Sequence, residues 1–129
     1  MSGRFLLDTN VAIRLLGDDA DVKARSDGAD DAIVCTIVLG ELLYGAYKSR
    51  AVKKNLARVQ ELAGGGSVLV CDEQTADEYG LIKNALRAKG RPIPDNDIWI
   101  AALAKQHNLV LATRDAHFAQ VDGLTLERW

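Results

Sequence analysis

Short apolar runs alternate along the chain with segments whose apolar residues recur at three- and four-residue intervals. Arg4–Leu7, Ala32–Cys35, Val68–Cys71, Leu109–Ala112 and Leu124–Leu126 read as strands, brief and apolar between polar or turn-forming neighbours. Helices are predicted over Asn10–Leu16, Asp21–Asp27, Thr36–Lys48, Ala51–Ala63, Glu73–Lys89 and Asp97–Gln106. In the segment from Glu73 to Lys89, Ala76, Tyr79, Ile82 and Leu86 mark one face at helical spacing. Gly64-Gly65-Gly66 reads as a helix stop and turn, and Pro92-Ile93-Pro94 as a loop. There is no internal repeat. Strands alternating with helices predict an α/β chain, one domain over residues 1–129, with a mostly parallel sheet covered by helices on both faces.

In such sheets ligands gather beyond the carboxyl ends of the strands, where the strand order reverses. Polar residues just after strands are therefore the first candidates for chemistry. Asp8 closes the first strand and Asp115 follows the fourth. Each is also what a helix N-cap needs. Asp97 falls in the first turn of its helix, where an acid complements the helix dipole. Glu41 is harder to explain structurally. Its helical neighbours are Ile37, Val38, Tyr44 and Gly45, with no basic residue among them. A glutamate on such a face must be desolvated, paired or bound to a cation. Other acids have simpler readings: Asp72 caps the long helix, Asp18, Asp19 and Asp21 form a solvated turn, and Asp95 caps the Asp97 helix or supports the site.

Four carboxylates around one crevice repel. Two unit charges at 4 Å cost roughly 4 kcal/mol at an effective dielectric of 20. The cluster stays ionised only if a cation joins it, or else some members take up protons. Hard oxygen donors select Mg²⁺ or Mn²⁺ over zinc, and such an ion suits phosphate chemistry.

Composition adds boundaries. The 129 residues are 48% apolar and only 5% aromatic, enough for one core filled by aliphatic side chains. The formal charge of −2 does not advertise a polyanionic partner, although bound divalent ions would reverse it. The longest apolar run, Ile98–Ala104, has seven residues, against roughly twenty for a membrane span. No signal peptide pattern opens the chain, so a soluble, cytoplasmic protein is expected. Cys35 and Cys71 read as buried free thiols.

The four acidic positions, taken in order, resemble the motifs of PIN-domain ribonucleases. Asp8-Thr9-Asn10 after an N-terminal strand resembles the opening motif, and Gly40-Glu41-Leu42 on the third helix resembles the second. Asn96-Asp97-Ile98-Trp99-Ile100-Ala101-Ala102 is similar to the third, and Thr113-Arg114-Asp115 with Phe118 to the fourth. Length and single-domain build look like the VapC toxins of toxin–antitoxin pairs. The resemblance implies a PIN-like fold with a five-stranded parallel sheet and a divalent-metal endoribonuclease. Asp8, Glu41, Asp97 and Asp115 would be its metal ligands, supported by Thr9, Asn10 and Thr113. It further implies homodimers, an RNA substrate and inhibition by a small VapB-type antitoxin.

Beside this stand a PIN nuclease of RNA processing outside any toxin pair, and a phosphoacceptor receiver domain. The receiver needs an acidic pair by its first strand and a lysine after its last long strand. Here Asp8 is single, and Ala112-Thr113-Arg114 offers no lysine. Arg50, Lys54 and Arg58 share a helical face, and Lys83, Arg87 and Arg91 form a weaker set; either is a solvated face or a contact for RNA phosphates. The helix from Thr36 to Tyr47 is apolar on nearly all sides, which implies deep burial or another chain against Tyr44 and Tyr47. Cleavage by a metal-activated water would leave a 5′-phosphate and a 3′-hydroxyl. No histidine pair is available for the route through the 2′-hydroxyl: His107 lies on the far side, and His117 is nearer but single.

Overall fold

The computed structural model describes residues 3–129. Five strands, β1 (Arg4–Leu7), β2 (Asp31–Cys35), β3 (Val68–Leu69), β4 (Val110–Ala112) and β5 (Leu126–Glu127), form one sheet in the order β3-β2-β1-β4-β5. Every pairing is parallel. The connections are helical: α1 (Thr9–Leu16), α2 (Ala20–Gly28), α3 (Thr36–Tyr47), α4 (Val52–Gly64), α5 (Glu73–Lys89) and α6 (Asp95–Gln106). A short 3₁₀ turn, Ala116–Gln120, follows β4. This is the α/β class that the alternating pattern predicts.

The period-two alternation of β1 divides the core. Leu6 packs into a cluster with Val38, Leu42, Ile82 and Leu103, whereas Phe5 and Leu7 point to the other face, among Val11, Val22, Val34 and Trp129. Helix α6 is nearly enclosed, with Ile98 and Ile100–Ala104 buried, which accounts for the long apolar run. Helix α5 starts as its sequence dictates. Asp72 Oδ1 accepts from Thr75 N at 3.0 Å, and Thr75 Oγ1 accepts from Asp72 N at 2.9 Å, a reciprocal capping box. It ends at Gly90, whose φ of +67° is the left-handed cap that glycine adopts without strain.

Several boundaries differ from expectation. Strand β3 stops at Leu69, because the chain leaves the sheet edge there to reach the Asp72 cap. Val70 and Cys71 are consequently exposed, so the expected burial of Cys71 is wrong, while Cys35 is buried. Burial pushes the Cys35 thiol up to about 11. Strand β5 begins at Leu126, two residues late, because Leu124 is held in a turn, its N–H donating to the Val121 carbonyl at 3.4 Å. Helix α6 begins two residues early, with Pro94 as its N-cap. Asp95 neither caps nor supports the acidic site: it is exposed and bound to Lys83 Nζ and Tyr79 Oη, both at 3.0 Å. Among the described residues no helix is long and apolar enough to cross a membrane.

Candidate metal centre

Strand β1 has β2 on one side and β4 on the other, so the strand order reverses between β1 and β4. The residues leaving these two strands face each other there. Asp8 leaves β1 and caps α1, its Oδ1 accepting from Thr9 N at 2.8 Å. Its Oδ2 accepts from Thr113 Oγ1 at 2.7 Å and from Asn10 Nδ2 at 3.2 Å. The capping and site readings of Asp8 are therefore compatible: one oxygen caps while the other is held across the crevice.

Thr113 does more than hold Asp8. Its Oγ1 also accepts from Asp115 N at 3.0 Å, tying the two acids to one buried hydroxyl. Asn10 Oδ1 accepts from Arg114 N at 3.2 Å, which fixes the same turn from the other side. Asp97, in the first turn of α6, completes the group from a third element.

His117 stands between two of these acids. Its Nδ1 lies 2.8 Å from Asp115 Oδ1 and its Nε2 lies 2.8 Å from Asp97 Oδ2. Both approaches are ion-pair distances, and Nε2 is buried without a directed hydrogen-bond partner. Asp97, Asp115 and His117 bring donor atoms within 4.8 Å of one another. Sequence reasoning set His117 aside for want of a second histidine. Its signal was the spacing, two residues past Asp115 on a turn too short to show periodicity.

Glu41 stands at the rim. It projects from α3, half-buried, and its Oε1 accepts from Thr9 Oγ1 at 3.0 Å. The structure thus gathers Asp97, Asp115 and His117 closely, sets Asp8 within their field, and tethers Glu41 through Thr9.

Electrostatics show strain in this group. Burial, then the charge of Asp115, holds the Asp8 carboxyl above its ordinary value, against the hydrogen bonds from Thr113 and Thr9 and the nearby His117. Asp97 is raised by burial and by the charges of Asp8 and Asp115, with His117 opposing. A buried acid whose charge is disfavoured, beside two more carboxylates and one imidazole, fits a divalent cation. Carboxylate oxygens suit Mg²⁺ and Mn²⁺, and the imidazole nitrogen adds weight to Mn²⁺.

A pH dependence follows. An acid with a raised folded-state pKa binds protons on folding, so stability falls as pH rises through the window above its unfolded value. In EDTA, the melting temperature should rise as pH is lowered from neutrality toward the folded-state pKa values of Asp8 and Asp97. Adding millimolar Mn²⁺ at neutral pH should raise it as well, by mass action. A melting temperature indifferent to both would contradict this electrostatic picture.

The PIN-domain pattern matches residues 5–124. The chain belongs to the PIN-domain family. This PIN protein is similar to the tRNA(fMet)-specific endonuclease VapC of Shigella flexneri, with 33% identity over 98% of each chain. It is also similar to Ribonuclease VapC1 of Haemophilus influenzae (strain R2866), with 31% identity over 97% of each. Among solved structures it resembles DNA-bound VapBC from Salmonella typhimurium, with a TM-score of 0.92 and 33% identity over 98% of each chain. The PIN assignment replaces the receiver reading, whose acidic pair and lysine the chain lacks.

Proposed function

We propose that the chain is a divalent-metal endoribonuclease, the toxin of a VapBC-type toxin–antitoxin pair, acting as one nuclease domain in the cytoplasm. The observation that carries this is the meeting of Asp97, Asp115 and His117 beside buried Asp8, at the carboxyl edge where the strand order reverses. The names of its VapC relatives, ribonucleases and a transfer-RNA endonuclease, support the same activity.

In this reading Asp8, Glu41, Asp97 and Asp115 hold Mg²⁺ or Mn²⁺. When bound, such an ion polarises a phosphoryl oxygen and lowers the pKa of water. The protein's own contribution is orientation. Thr9, Asn10 and Thr113 lock the Asp8 carboxylate in one pose. Asp8 and Asp97 position the attacking water from β1 and α6. Glu41, tethered by Thr9, orients it from the rim. In-line attack breaks the bond from phosphorus to the 3′-oxygen, leaving a 5′-phosphate and a 3′-hydroxyl. Total cellular RNA incubated with the native chain should yield discrete cleavage sites with those ends. Products with 2′,3′-cyclic phosphates, or full activity in excess EDTA, would overturn the mechanism.

The partner reading rests on a groove of about 370 Å³ between α1, α3 and α4. Its walls include Ile13, Leu16, Leu42, Ala46 and Val59, and Glu41 and Arg58 also line it. It suits an apolar antitoxin segment that would also cover the catalytic rim. Arg58 itself is spoken for, bonded to the Leu16 carbonyl and to Asp18, which weakens the expected phosphate role of its face. Tyr44 and Tyr47 point outward from α3, each about two-thirds exposed, and we assign them to a homodimer or antitoxin contact. Light scattering at tens of micromolar should report a dimer; a strict monomer would remove that part.

A further inference from the structure

RNA is a polyanion, yet this chain carries a formal charge of −2 and its reactive crevice is lined by acids. Something near the crevice must hold phosphate. Just beyond the carboxyl ends of β4 and β5 lies a pocket of about 540 Å³, lined by Asp21, Ala24, Arg25, Arg114, Arg128 and Trp129. Its walls thus bring three guanidinium groups together with the Asp21 carboxylate.

Two of those arginines are free to act. Arg25 is engaged by Glu127 at 3.1 Å, and Glu127 also accepts from Trp129 Nε1 at 3.2 Å. Among the described residues, Arg114 and Arg128 form no ion pair. Arg114 Nε is buried without a hydrogen-bond partner. The one side-chain bond of Arg128 is to the Arg114 carbonyl, at 3.3 Å, which draws the two residues together. A buried guanidinium donor without an acceptor is costly, and an oxyanion relieves it.

The pocket is coupled to the metal centre by the chain itself. Arg114 lies between Thr113, which holds Asp8, and Asp115, which contacts His117. Its amide is pinned to Asn10. One residue step is about 3.8 Å, so the pocket begins close beside the reacting centre. Both free arginines leave strands at the same sheet edge as Asp8, the edge where ligands of parallel sheets bind.

We infer that Arg114 and Arg128, with Arg25 lining the same pocket, bind a phosphate of the RNA strand next to the one that is cut. The planar guanidinium fork matches phosphate oxygens in a way that a lysine would not. Such a contact sets the strand's register across the acids without reading its bases. The inference rests on the ribonuclease reading and names where its substrate is held.

The test is binding of a fluorescein-labelled single-stranded RNA to the full chain in EDTA, read by anisotropy over a range of salt. Arg114→Gln and Arg128→Gln should each weaken binding about tenfold. Each should lower the salt slope by about 0.7, the value for one phosphate contact on a single strand. Arg4→Gln, at the amino end of β1 and paired with Asp31 on the opposite edge of the sheet, should change neither. In cleavage assays with Mn²⁺ the loss should enter through KM rather than kcat. Arg128 is exposed, so its variant keeps the test valid should Arg114→Gln fold poorly. Wild-type affinity and slope in the double variant, with cleavage intact, would overturn the pocket alone. So would equal losses in all three single variants, which would mean diffuse attraction, or an unchanged RNA affinity with lost binding of an acidic peptide. A native chain that neither binds nor cuts RNA would overturn the ribonuclease reading as well.

Discussion

Asp97→Asn is expected to abolish RNA cleavage while leaving the chain folded. The substitution keeps shape and removes one charge from a crevice where burial and the charges of Asp8 and Asp115 already raise Asp97. Losing one group of this kind typically costs about 10²–10³ in rate. Here the cost should reach or exceed the upper figure, because the same carboxylate faces His117 and, in our reading, both holds the cation and orients the water. Stability should move the other way. Burial and its acidic neighbours disfavour the Asp97 charge, so the metal-free variant should melt above the native chain at neutral pH. A variant that retains even a tenth of native cleavage would remove Asp97 from the centre. A variant that melts far lower would show that its charge is structural.

Thr113→Val should have the next largest effect, although Thr113 is not a proposed ligand. The side chain is buried, and valine fills nearly the same volume. What is lost is one hydroxyl that donates to Asp8 at 2.7 Å and accepts from Asp115 N at 3.0 Å. Without that donor the Asp8 carboxylate loses an interaction that favours its charged form. Without that acceptor the turn bearing Asp115 is no longer tied to β1. Groups that orient ligands from behind typically contribute 10–100-fold, and a fall in activity of about that size is expected. An unpaired donor at this turn should cost about 1–3 kcal/mol of stability in denaturant melts. Thr113→Ser keeps the hydroxyl and should retain most activity. If valine and serine behave alike, the hydroxyl is not what aligns the acids.

Helices α5 and α6 were legible almost residue by residue. The four residues of α5 read as one face, Ala76, Tyr79, Ile82 and Leu86, do not share equal burial: Ile82 and Leu86 are enclosed, Tyr79 is partly covered and Ala76 is exposed. The stripe was right in direction but one residue off in the first turn, where Thr75, seven residues before Ile82, is the buried residue and bonds Gln106 of α6, while Ala76 turns to solvent. The short elements read less well. Two-residue strands such as β3 and β5 hold too few alternating positions to set their own limits, so the cap at Asp72 and the turn from Val121 to Leu124 moved them. Cys71 became exposed for the same reason.

The candidate site divides along the same line. Local sequence determined that Asp8, Asp97 and Asp115 would lie at the ends or beginnings of elements, because strand and helix limits follow from hydrophobic period and capping chemistry. It also marked Glu41 as a charge on an apolar face. Only the tertiary structure decided which of these acids meet. Asp8 and Thr113 are 105 positions apart and touch because β1 pairs with β4 rather than with β3. The same pairing set His117 between Asp97 and Asp115, left Glu41 at the rim, and brought Arg25, Arg114 and Arg128 around one pocket. Periodicity fixes which side of an element faces inward, but it holds no record of its neighbour. That choice belongs to the packing of the whole sheet, where burial summed over both faces selects one strand order.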